Sequence, residues 1–73
     1  MTGELQRTVG RNLRLYRLQR ELSQEKFAEL LGYHRTYVGG LERGERNITL
    51  VALEQIASRL EVDPLDLLRS AEK

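Results

Sequence analysis

The polar residues between positions 35 and 43 are hydrogen-bond donors, not nucleophiles or metal ligands. Placed on a helix at about 100° per residue, Arg35, Thr36, Gly39, Gly40 and Arg43 fall between roughly 0° and 140°. Tyr37, Val38, Leu41 and Glu42 fall between roughly 200° and 340°. One face of such a helix is apolar enough to pack on a core. The other offers two guanidiniums, a hydroxyl and two positions of bare backbone. Ten of the twelve basic residues in the chain are arginine. The planar, permanently charged fork of arginine suits phosphates and guanine edges better than the lysine ammonium does.

Nothing beside this face suggests catalysis. The chain has one histidine, His34, and no cysteine. It has no HExxH, no glycine-rich phosphate loop and no Ser/His/Asp set arguable from spacing. Glu25, Glu29, Glu42, Glu45, Glu54, Asp63 and Asp66 are spread through helix caps and faces. No catalytic residue, no metal set and no cofactor is expected, and the chain reads as a protein that binds and does not transform.

Five helices must position these groups. Leu5, Val9, Leu13 and Tyr16 make one inward stripe of a helix running from about Glu4 to Glu21. Ser23 is a cap for a short second helix with Glu25 in its first turn and Phe27, Leu30 and Leu31 facing inward. Gly32 ends it, and a third helix, Arg35 to Arg43, is closed by Gly44. Thr49 caps a fourth, whose stripe Leu53, Ile56, Ala57, Leu60 follows i, i+3, i+4, i+7. Asp63 and Pro64 open a fifth that carries Leu65, Leu67 and Leu68. The fold class is therefore all-α. Two short helices joined by a glycine turn, over about 23–44, outline a helix-turn-helix whose second helix enters the major groove of duplex DNA.

Seventy-three residues, one proline and no linker-like stretch imply one domain over 1–73, with a small core of leucine, valine and isoleucine. The beginning of the chain carries no apolar signal region, and no apolar run reaches a membrane span, so a cytoplasmic protein is expected. The net charge of +1 would not by itself point to DNA.

Leu22 to Ala28 (Leu-Ser-Gln-Glu-Lys-Phe-Ala), Gly32, Tyr37 and Val38, Leu41 to Gly44 (Leu-Glu-Arg-Gly), Arg46, Asn47 and Leu50 together resemble the phage-repressor-like (XRE) family of helix-turn-helix regulators. The similarity runs from about Val9 to Leu68. Within the family the chain is most similar to compact stand-alone regulators such as restriction–modification controller proteins. The resemblance implies a compact, five-helix, lambda-repressor-like domain that regulates transcription as a dimer on a near-palindromic site in double-stranded DNA.

It also implies roles for individual residues. Arg35 and Thr36, with Gly39 and Gly40 further along the same face, match the positions that read bases. Gln24, Tyr37, Arg43, Arg46 and Asn47 match those that hold backbone phosphates. Arg17 and Glu42 match a salt bridge between the first helix and the end of the reading helix. Two departures stand out. Adjacent glycines in the reading helix cost about 1 kcal/mol each relative to alanine. His34 stands where a capping serine or threonine is usual, which implies a weak cap.

Competing readings attach to several residues. His34 is either a minor phosphate or base contact or a plain turn residue. Tyr33 and Tyr37 suit core edges and phosphate contact better than a stacking platform for single strands. Arg7, Arg11 and Arg14, opposite the apolar stripe of the first helix, read as a solvated face rather than a second DNA surface. Leu15 and Leu18 also lie off that stripe. Val51 and Leu65 are surplus to the core and suit a two-fold dimer contact. The alternative function is an antitoxin or other protein-interaction module that binds a protein partner through the same small domain.

Overall fold

A computed structural model describes residues 3–70; the remaining ends of the 1–73 assignment lie outside the described residues. Among the described residues five helices follow one another: α1 (Glu4–Gln19), α2 (Gln24–Leu31), α3 (Arg35–Glu42), α4 (Leu50–Leu60) and α5 (Pro64–Leu68). No strand occurs among the described residues, and none of these helices is long and apolar enough to cross a membrane.

Local chemistry sets the boundaries. The Ser23 hydroxyl accepts from the Lys26 amide, Thr49 from Ala52 and Asp63 from Leu65, with Pro64 in the first turn of α5. Each bond satisfies an amide that the helix itself leaves without a partner. Gly32 and Gly44 adopt left-handed backbone angles just past α2 and α3, with φ of 80° and 73°. There the Tyr33 amide returns to the Ala28 carbonyl and the Glu45 amide to the Gly40 carbonyl, the closing pattern a glycine permits without a Cβ penalty.

His34 departs from the weak cap expected of it. Its Nδ1 accepts from the Thr36 amide at 3.0 Å, so an imidazole nitrogen takes the part usually left to a hydroxyl or carboxylate oxygen.

The helices share one hydrophobic core, built on Val9, Leu13, Phe27, Leu31, Val38, Leu41, Leu53, Ile56, Ala57, Leu60 and Leu67. The whole α4 stripe is buried. Two expected members are not. Leu5 is 62 % exposed, and Thr8 is buried in that stretch instead. Leu30 is also exposed, while its neighbour Ala28 turns inward. Tyr16 closes one edge, with its ring near Phe27, its hydroxyl donating to the Leu60 carbonyl and the Arg20 guanidinium 3.6 Å from its ring centroid.

The packing of α1 on α3 determines where α3 points. A Cβ at Gly10 would fall inside van der Waals distance of the Leu41 and Glu42 carbonyl oxygens. Only glycine lets the two backbones come this close.

Candidate nucleic-acid interface

Arg35 and Thr36 occupy the first turn of α3, just past the His34 cap, and both are exposed. The end of that helix is anchored inside the protein. Arg17 Nε donates to Glu42 Oε2 at 2.8 Å and Nη2 to Oε1 at 3.1 Å. The carboxylate side chain is only 2 % exposed and the guanidinium side chain 12 %. Arg17 Nη1 also donates to the Leu22 carbonyl, which ties α1 to the segment preceding α2.

Gln24, in the first turn of α2, is drawn into the same network. Its Nε2 donates to Glu42 Oε1 at 3.1 Å. With the amide nitrogen held there, the side-chain orientation is set. Buried polar groups so paired restrict how the elements can move relative to one another.

Gly39 and Gly40 need correction: they are buried, not bare backbone offered to a ligand. The Arg43 guanidinium and the Gln24 amide lie over Gly39, and the aliphatic stem of Arg46 lies over Gly40. The two glycines therefore act through their neighbours. By lacking side chains they let Arg43 and Arg46 lie across the helix surface.

The remaining donors surround α3. Tyr37 is half-buried, 5.0 Å from the Tyr33 ring centroid to centroid, and the Arg46 guanidinium lies 5.7 Å from its ring centre. Tyr33 in turn donates its hydroxyl to Gln55. The two tyrosine rings thus pack on each other and against the core. Burial, and secondarily Tyr33, push the Tyr37 phenol above its ordinary pKa, while Arg46 pulls it down. At neutral pH it remains a hydrogen-bond donor.

Arg43 Nε donates to Glu45 at 3.0 Å, and both side chains are more than half exposed. An exposed pair of this kind is worth about 0–1 kcal/mol, so a phosphate can displace the carboxylate at little cost. Asn47 Oδ1 accepts from the Gln6 amide, which leaves the Asn47 amide hydrogens to donate elsewhere. Gln6 and Gly10 are positioning residues that periodicity could not identify, because both act on elements distant in sequence. Val51 and Leu65 are 62 % and 59 % exposed, on α4 and α5, with Leu50 beside Val51 at 77 %. Among the described residues no cluster of His, Cys, Asp and Glu could hold a metal ion.

Taken together, α2, α3 and the segment after α3 present guanidiniums, a phenol, a hydroxyl and amides around the exposed first turn of α3, a donor-rich surface suited to the acceptor-rich exterior of duplex DNA. Comparison with known proteins agrees. Residues 13–67 match the HTH_3 helix-turn-helix family model. The control protein C.BamHI of Bacillus amyloliquefaciens is 42% identical over 69 residues, spanning 93% of this chain and 85% of that protein. The control protein C.SmaI of Serratia marcescens is 46% identical over 57 residues, spanning 78% and 68%. Among solved structures, the restriction-modification controller protein C.AhdI from Aeromonas hydrophila superposes with a TM-score of 0.76 at 44% identity, covering 85% of this chain and 94% of that one.

Proposed function

The chain belongs to the HTH_3 helix-turn-helix family and is a DNA-binding transcription regulator, and from that premise we propose that it works as a homodimer on a near-palindromic operator, as the autoregulatory controller of a restriction–modification system. The observation that carries the reading is the presentation of Arg35 and Thr36 at the exposed start of a helix whose far end is fixed by the buried Arg17–Glu42 pair. Arg35 is assigned to a guanine edge, donating to O6 and N7, and Thr36 to a neighbouring base through its hydroxyl or methyl. Gln24, Tyr37, Arg43, Arg46 and Asn47 are assigned to phosphates that fix register.

The dimer contact is assigned to the exposed apolar residues Val51 and Leu65. Two protomers related by a two-fold axis place their reading helices about 34 Å apart, on successive major-groove turns of one duplex face. The names of the relatives favour the controller reading over a module that binds a protein partner. The reading places the protein in the cytoplasm, with its DNA.

Selection from random duplexes with the purified protein tests this proposal. Enrichment of an inverted repeat with half-site centres one helical turn apart is expected, together with sedimentation of the free protein as a dimer. Enrichment of a single asymmetric site by a monomer would overturn the dimer and palindrome assignments.

A further inference from the structure

The basic residues on α1 outnumber any structural use for them. Arg7, Arg11 and Arg14 recur at i, i+4 and i+7, which places three guanidiniums within one narrow sector of the helix. All three are exposed, and among the described residues no carboxylate lies within ion-pair distance of them. Glu42, the acid that shares a cleft with them, is already held by Arg17 and Gln24. Like charges one turn apart repel and weaken a helix.

Their setting is specific. Arg7, Arg11 and Arg14 line a cleft of about 250 Å³ together with Glu42 and Arg43. The stem of Arg7 lies against Gly44, where a Cβ would meet Arg7 Cγ at 2.9 Å. Complementing the carbonyl end of α3 does not account for them. The Gly39, Gly40 and Leu41 carbonyls accept from the Arg43, Glu45 and Gly44 amides. Arg43 belongs to both surfaces, since it lies over Gly39 on the reading helix and also lines this cleft.

We propose that Arg7, Arg11 and Arg14 form a second phosphate-binding element, which continues from Arg43 along α1 and grips the backbone of the duplex flanking each half-site. This rests on the DNA-binding reading and extends its footprint. The occupant is a polyanion, because three exposed guanidiniums in one sector match a row of phosphates and, among the described residues, none of them is in an ion pair. The element carries no base information and raises affinity for any flanking sequence.

The test uses the full chain with Arg7, Arg11 and Arg14 all changed to glutamine, and a second variant with all three changed to lysine. Binding is followed by fluorescence anisotropy between 50 and 300 mM salt on two operator duplexes, one cut at the half-site boundaries and one with longer flanks. On the long duplex the glutamine variant should bind more weakly, its log K against log salt slope shallower by about 0.9 for each phosphate it no longer neutralises. The lysine variant should keep most of the slope, and on the short duplex all three proteins should bind alike. Base preference in a selection should not change, which separates failure of this proposal from failure of the DNA-binding reading. Equal slopes for wild type and glutamine variant on the long duplex, both folded by circular dichroism, would make the arginines a solvated face and overturn the proposal. An equal weakening on both duplexes with a change in sedimentation would overturn it too, by placing them between protein copies.

Discussion

Glu42 takes both of its outer hydrogen bonds from Arg17, at 2.8 and 3.1 Å, and its Oε1 also receives the Gln24 amide. One buried carboxylate therefore joins α1, α2 and α3 at the point where the reading helix ends. Removing either partner strands a charge away from water, so Arg17→Ala or Glu42→Ala should destabilise the fold by about 3–5 kcal/mol. Replacing both with apolar residues of similar volume should cost much less than either single change. Urea denaturation of the two single variants and the double variant checks this. If the double variant is restored in stability but not in DNA affinity, the pair serves orientation more than stability.

The adjacent glycines of α3 should part company on substitution. At Gly39 an added Cβ meets the far end of Arg43, which can move aside, and alanine restores helix propensity. Gly39→Ala should gain up to about 1 kcal/mol in thermal stability. At Gly40 the Cβ would lie 2.7 Å from Arg46 Cγ, close to the backbone end of that side chain. Gly40→Ala should therefore dislodge Arg46 and weaken binding to every duplex tested, with little of the stability gain.

Arg35 and Arg46 should separate specificity from affinity. Arg35→Ala is expected to relax preference at one base pair in each half-site, at about 1–3 kcal/mol per base pair read. Arg46→Ala is expected to weaken all sequences alike and to lower the salt slope. Selection on random duplexes with each variant reads both effects, and an unchanged base preference for Arg35→Ala would remove that assignment.

Tyr37 gives a pH dependence with a definite sign. Burial raises its phenol above the ordinary value near 10. The folded state thus holds the proton more tightly than the unfolded chain does. The corresponding stability is fully present below about pH 10 and is lost as pH rises through the folded value. The stability difference between wild type and Tyr37→Phe, measured by urea titration from pH 8 to 11, should be flat up to about 10 and then shift against wild type.

Much of the architecture is legible in the residues because local rules suffice for it. The α4 stripe Leu53, Ile56, Ala57, Leu60 is continuous, and Ser23, Thr49 and Asp63 act on amides two or three positions away. The all-α fold and the helix-turn-helix follow from such signals. Leu5 and Leu30 escape the core assigned to them because periodicity identifies a face but does not reveal whether another element covers it. Gly39 and Gly40 read as open because angular position says nothing about long side chains returning across the helix. Gly10 and the Gln6–Asn47 hydrogen bond leave no local signal at all, since each depends on where α1 meets a segment more than thirty residues away. The left-handed Glu21 and Glu61 carry no glycine to announce them.

The central claim, that this surface reads DNA sequence, is tested most directly by fluorescence anisotropy with the duplex upstream of the protein's own gene, at several salt concentrations and with random duplex as competitor. The account predicts palindrome-dependent binding that exceeds the random duplex by about a thousandfold or more. Equal, weak binding to both duplexes that vanishes as salt rises would contradict it, leaving only the nonspecific attraction of arginines for a polyanion.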